Sequence, residues 1–176
     1  MSAELNKTTG TSGRKSVTAN DFLRAETDTY FRRYAEKFGA FGKINQYRKL
    51  VPIDQQGIVR MNRDTFYSYG IFDLTHPVTI VKPDPGERFQ SMIVINQDHL
   101  VKMISHEVGR YTLNQERIGT RYVGVIFRTL INESDPDDNA QANKLQDQIT
   151  FEQQDPGKLE LSLWDPVLSR KSARFS

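Results

Sequence analysis

The chain has no cysteine among its 176 residues. That excludes disulfides, thiolate metal ligands and a cysteine nucleophile, and it leaves the redox compartment open. Histidine is scarce, so imidazole chemistry has only His76, His99 and His106 to draw on. No apolar run is long enough to span a bilayer, and the N-terminus lacks the apolar core of a signal peptide, so no membrane contact is expected and the default location is cytoplasmic. The glycine-rich phosphate loop, the dinucleotide fingerprint, the G-x-S-x-G nucleophile turn and the H-E-x-x-H zinc helix are all missing. These absences weigh against ATPase, dehydrogenase, esterase and metalloprotease activities, and they give no reason to expect a cofactor or a resident metal. A net charge of +2 is too small to argue for a nucleic-acid partner.

What is present describes a soluble globular chain, with 37% hydrophobic, 26% charged and 10% aromatic residues. At this length roughly 70% of the unfolded surface can be buried, so a core needs no staple. Residues 1 to about 17 are small, polar and aperiodic, and are expected to form a mobile tail. The next segment, "ANDFLRAETDTYFRRYAEKFGAFG", has helical spacing. Leu23, Thr27, Tyr30, Phe31, Tyr34 and Phe38 share a stripe, while Arg24, Asp28, Arg32 and Lys37 lie largely off it. Thr18 or Asn20 can cap this N-terminal amphipathic helix and Gly39 can end it.

Beyond Pro52 and Gly57 the pattern becomes period two. Candidate strands are "IVRM", "TFYSYGIFDL", "PVTIVKP", "RFQSMIVINQ" and "TRYVGVIFRTLI", separated by polar turns. The near-continuous apolar runs "MIVIN" and "YVGVIF" suggest central strands covered on both faces. Residues 133–157 hold 7 acidic residues against 1 basic, which local helix chemistry explains. Ser134 or Asp135 caps a second helix near 136–149, Pro136 takes its first position, and acids in the first turn suit the positive end of its dipole. Ala142, Leu145 and Ile149 form its narrow apolar face, and a short strand follows, ending near Trp164. The predicted class is therefore mainly β (α+β), as one domain over residues 18–176.

Two polar clusters invite a functional reading. In "VRMNRDTFYS", Arg60, Asn62 and Asp64 share one face of an extended segment while Met61 and Arg63 share the other. Arg63 with Tyr67, Arg121 and Tyr122 can line an anion- or sugar-sized pocket, because guanidinium grips carboxylates in a fork and tyrosine offers a flat face with a polar tip. The bland alternative is an ion pair of Arg63 or Arg121 with Asp64 or Asp98. In "NQDHLVKMISHE", Asp98 can orient His99 for proton transfer only if the strand has already ended. A metal would use His99 and His106 with Asp98 or Glu107, a spacing that matches no defined ligand signature. The candidate pocket thus comprises Arg63, Asp64, Tyr67, Asp98, His99, Arg121 and Tyr122, with no catalytic residue assigned.

Six blocks in order carry a resemblance: "FLRAETDTYF", "VRMNRDTFYSYGIFDL", "PDPGERFQSMIVINQDH", "YTLNQERIGTRYVGVIFRTL", "DPDDNAQANKLQDQI" and "LSLWDP". From about residue 20 to 170 the chain resembles the bacterial family known as domain of unknown function 1254. The resemblance implies an immunoglobulin-like β-sandwich with helical decorations, usually followed by a second, jelly-roll-like domain of family 1214, which this chain is expected to lack. It implies no catalytic residues, and many relatives are exported. A domain that normally sits beside another keeps an apolar surface, so Val167 and Leu168 are expected to contact a partner domain or a second copy, whereas Trp164 is expected to fold back. The expected function is a non-catalytic ligand- or partner-binding module; the alternative is an enzyme using the His99 and Asp98 pair.

Overall fold

The structure, a computed structural model, describes residues 13–50, 52–55 and 62–165. The expected strand "IVRM", with Arg60 and Met61, lies outside these residues, as do residues 1–12 of the expected tail, Val167 and Leu168. Within the rest of that tail, the Lys15 N–H donates to the Leu163 carbonyl at 2.7 Å and the Asp165 N–H donates back to the Lys15 carbonyl at 2.9 Å.

The period-two segments become antiparallel strands in two sheets. β1 (Ile44–Gln46), β2 (Thr65–Asp73), β4 (Gln90–Asn96), β5 (Val101–Ser105) and β7 (Tyr122–Leu130) form the larger sheet in the order β1-β2-β7-β4-β5. β3 (Val78–Lys82), β6 (Gly109–Leu113) and β8 (Thr150–Gln153) form the smaller one in the order β6-β3-β8. β7 and β4 are interior strands, as their apolar runs predict. β5 and β6 are absent from the sequence reading: both are edge strands, β5 with mostly exposed side chains and β6 with only Tyr111 and Leu113 turned inward. The strand expected to end near Trp164 does not form: β8 lies before the turn at Pro156 and Gly157, and Trp164 itself makes only an isolated bridge with Lys15.

Residues opposite one another across a ladder share a face. Phe72 lies opposite Val123 and Ser68 opposite Phe127, while Val94 and Met92 lie opposite Val125 and Phe127 on the other flank of β7. All of these but Ser68 meet Val78, Ile80 and Leu113 of the smaller sheet in one buried cluster. The molecule is therefore mostly β, two antiparallel sheets with one shared core and a few helices. At one end of the larger sheet the cover is α3 (Pro136–Asp147), whose Ala142 packs with Phe66 and Ile131. Asp135 caps α3 as expected, accepting from the N–H groups of Asp137 at 2.9 Å and Asp138 at 3.2 Å. The helix stops at Asp147, so Ile149 reaches the shared core from the connection to β8 and not from the helix face.

The outer face of the larger sheet carries α1 (Phe22–Phe38), which ends where Gly39 takes a left-handed conformation, φ +62°. Its start differs from expectation: Asp21 is the N-cap, and its carboxylate accepts the Thr18 hydroxyl at 2.6 Å instead of a helix N–H. Its buried side also differs. Ala25, Thr27, Asp28, Phe31 and Ala35 face inward, whereas Leu23, expected on the apolar stripe, is 55% exposed. The reason is the seat of Phe31. A methyl group added at Gly124 of β7 would come within 2.8 Å of the Phe31 ring, so only glycine lets the ring lie flat on the strand. That contact rotates the helix and brings Asp28 beneath it.

Phe31 is 6% exposed and packs with Ile71, Tyr122 and Leu161. Phe31→Ala is expected to cost about 3–5 kcal/mol in urea unfolding. A loss under about 0.5 kcal/mol would place α1 outside the folded core.

Candidate functional site

α1 shields only part of the outer sheet face, and the uncovered part forms a groove of about 660 Å³. Alternation along β2 points Tyr67, Tyr69 and Ile71 outward into it, and alternation along β7 adds Gly124, Ile126 and Arg128. Phe22, Tyr30 and Tyr34 of α1 form the opposite wall, and Asn62, Ile95 and His99 close its margins. The rings are ordered against one another: Tyr67 and Tyr69 stack at 5.6 Å with 2° between their planes, and Tyr34 stacks on Tyr69 at 4.6 Å. Burial raises the Tyr69 pKa, reinforced by Tyr34 and Tyr67, and burial with the neighbouring Tyr34 pushes Tyr47 up to about 12. These phenols stay neutral near pH 7 and act as flat apolar surfaces with polar tips.

Arg128 lies directly opposite Tyr67 in the ladder, and its guanidinium sits 5.6 Å over the Tyr67 ring. Among the described residues no carboxylate pairs with it. His99 adopts φ +62°, which few side chains other than asparagine and aspartate tolerate. It does so in the tight turn joining β4 to β5, where its N–H donates to the Asn96 carbonyl at 3.1 Å. Its Nδ1 stands 3.0 Å from the Thr27 hydroxyl, whose single proton goes to the Leu23 carbonyl at 2.8 Å.

The seven residues singled out in the sequence do not gather in one place. Tyr67 and His99 line the groove. Asp98 follows the end of β4, as cooperation with His99 would need, but its carboxylate accepts from Arg24 of α1, with Nε at 2.9 Å, while His99 meets Thr27. Arg63 pairs with Glu133, and Asp64 receives the Ile131 N–H on its carbonyl at 2.9 Å. His106 lies beyond the far end of β5 from His99, and among the described residues no group of three histidine or carboxylate side chains is placed to hold a metal.

Arg121 and Tyr122 belong to a different centre. Arg121 donates to both oxygens of Asp73, at 3.0 and 2.8 Å, and to Glu160 at 2.8 Å, while the Tyr122 hydroxyl donates to the Lys158 carbonyl at 2.7 Å. Asp73 also accepts from the Thr75 hydroxyl and N–H and from the Lys158 N–H. Gly157 packs so closely that a methyl group there would fall 2.5 Å from the Asp73 carboxylate. Burial alone would raise the Asp73 pKa, but the Arg121 guanidinium and Thr75 outweigh it and hold the carboxyl well below the usual range. This is a structural tie between β2, β7 and the C-terminal segment. Sequence reading anticipated an ion pair for Arg121 and named other partners, because a contact 48 residues away leaves no local trace. It missed Arg128 and Tyr69, although the alternation that turns them outward was legible in their strands.

Residues 41–103, from just before β1 through most of β5, match the family described as "Protein of unknown function (DUF1254)", and the chain resembles that family over this segment. The matched segment contains Tyr67, Tyr69 and His99 of the groove but not Arg128. No curated protein matches the sequence. Among solved structures, the chain is similar to the VPA0106 protein from Vibrio parahaemolyticus, with a TM-score of 0.63 and 14% identity. The similarity covers 77% of this chain and 36% of that one, so the present chain spans little more than a third of its structural neighbour. At that identity the likeness is one of fold.

The Asp73 tie has a pH signature. Because its folded pKa lies below the unfolded value of 3.8, its contribution to stability is fully present above that pH and is lost as pH falls through the folded pKa. Unfolding midpoints measured from pH 5 down to pH 2 are expected to fall more steeply for the native chain than for Asp73→Asn. Arg121→Met is expected to cost about 2 kcal/mol at neutral pH, less than a fully buried pair would because Arg121 is 37% exposed. Parallel acid profiles for the native chain and Asp73→Asn would show that the tie does not hold the fold.

Proposed function

We propose that this chain is a non-catalytic binding module whose ligand is a flat-ringed molecule with an anionic group, held in the groove between α1 and the outer face of the larger sheet. The observation that carries this reading is the placement of Arg128 over Tyr67 beside the Tyr67, Tyr69 and Tyr34 stack. Stacked phenol faces favour a planar ring, and a guanidinium without a carboxylate partner among the described residues favours an anion. The His99 imidazole and the Asn62 amide at the margin add direction to the site. The groove volume is in the range of small-molecule sites. Neither Asp98 nor any other described carboxylate is placed to orient His99, which favours binding over proton transfer.

We also read the two sheets as an immunoglobulin-like sandwich; the shared apolar core between two antiparallel sheets supports this finer description.

Isothermal titration with 2-naphthoate and its uncharged analogue 2-naphthylmethanol tests the proposal. Saturable binding of naphthoate is expected, weakened about tenfold or more in Arg128→Gln, with the alcohol insensitive to that change. No saturable binding of naphthoate, or equal loss of both probes in Arg128→Gln, would overturn it.

A further inference from the structure

Exposed apolar side chains are not scattered over this surface. Of the nine large ones among the described residues, six lie on or beside one edge of the larger sheet. Leu100, Val101 and Ile104 belong to β5 and the turn before it, Val108 follows it, and Phe89 and Leu130 stand at the neighbouring ends of β4 and β7. The Phe89 ring lies 5.3 Å from that of His106, and the Leu130 N–H donates to the Phe89 carbonyl at 3.0 Å, which draws these ends together.

β5 pairs with β4 alone, so its other side presents free backbone N–H and C=O groups. The remaining edges are blunted. β1 is three residues long, and its Gln46 amide donates to the Gln146 carbonyl of α3 at 2.9 Å. β6 and β8 carry the Arg110–Glu152 ion pair. β5 has Lys102 as its one charge, and Ile104 on it ends an apolar row. Tyr69 of β2, Ile126 of β7, Ile93 of β4 and Ile104 stand opposite one another in turn across the outer face. The row stops at solvent, where Ile104 is 59% exposed.

A strand that pairs antiparallel with its own copy keeps facing side chains on one side of the sheet, so the two-fold axis falls at a residue. Centred on Lys102, the pair would oppose two lysines, which like charge disfavours. Centred on Met103, it would set Lys102 against Ile104. Centred on Ile104, it sets Ile104 against its mate and Leu100 against Val108, apolar on apolar each time. We propose that this chain forms a symmetric dimer through β5 with the axis at Ile104, joining two five-stranded sheets into one. A second copy is the occupant because the exposed apolar spacing reads the same in both directions about that residue. Each copy has one such edge, so the assembly closes at two. Leu100, Val101, Ile104 and Val108 are each more than half exposed, which amounts to a few hundred Å² per copy, the size at which an apolar patch marks a contact site. Counted on both copies, with the paired backbone, it approaches the roughly 1,200 Å² at which specific interfaces begin.

Sedimentation equilibrium of the full chain from micromolar to millimolar concentration tests the dimer. A monomer–dimer equilibrium is expected, weakened about tenfold or more in Ile104→Lys. Ile53→Lys, at an exposed apolar residue elsewhere, is expected to leave it unchanged, with circular dichroism confirming that both variants are folded. Because the chain has no cysteine, single cysteine variants report on one position each. Ile104→Cys is expected to give a disulfide-linked dimer on oxidation, since facing Cα atoms in an antiparallel pair stand about 4.5–5.5 Å apart, within disulfide range. Lys102→Cys, displaced along the strand from its own mate, is expected to stay largely unlinked. A monomeric mass at every concentration would overturn the proposal. So would dimerisation undiminished in Ile104→Lys, or equal linkage of the two cysteine variants.

Discussion

The carboxylate of Asp28 ties α1 to two distant parts of the fold. One oxygen accepts from the Gln97 amide at 2.8 Å and the other from the Trp164 indole at 2.9 Å. Gln97 in turn accepts the N–H of Tyr122 at the start of β7, at 3.2 Å. A single buried side chain on α1 thereby holds the turn after β4, the first residue of β7 and the C-terminal segment in one arrangement. Acceptors taken out of water cost least when satisfied where they lie, and the rotation that seats Phe31 on Gly124 is also the one that offers Asp28 both donors.

That rotation has consequences on both sides of the helix. Toward the C-terminal segment it lets Phe31 lie on Gly124 and pack with Leu161, closing the outer face over β2 and β7. Toward β4 it leaves Leu23 exposed and the groove open, with His99 held at its edge by Thr27 from the same helix. The groove is thus the part of the sheet face that α1 cannot cover once Asp28 and Phe31 are placed. No helix among the described residues is long and apolar enough to cross a membrane.

The groove and the inner end of β3 hold their cations in contrasting ways. In the groove the cation is exposed and lies over an aromatic face, where its own hydration offsets most of the cost. At the end of β3 the cation, Lys82, is buried, and its cost falls on the fold. Between them, the Asp73 and Arg121 tie shows how this chain settles buried charge when the purpose is structural: a two-pronged guanidinium, a hydroxyl and backbone N–H groups converge on one carboxylate. Lys82 has no such shell: its Nζ has no hydrogen-bond partner among the described residues.

Much of the local structure was legible in the residues alone. Alternation in "TFYSYGIFDL" and "TRYVGVIFRTL" marked β2 and β7, and Asp135 followed by Pro136 marked the start of α3, because these signals act between neighbours a few residues apart. The same alternation already turned Tyr67, Tyr69 and Arg128 outward. What no local signal carries is the register that puts Arg128 beside Tyr67, the choice of Asp73 as the partner of Arg121, and the helix rotation that buries Asp28 and exposes Leu23. Those depend on contacts between residues 48 to 136 positions apart. Only the assembled sheets decide them, because each is the solution that leaves the fewest buried polar groups unpaired and the least apolar surface in water.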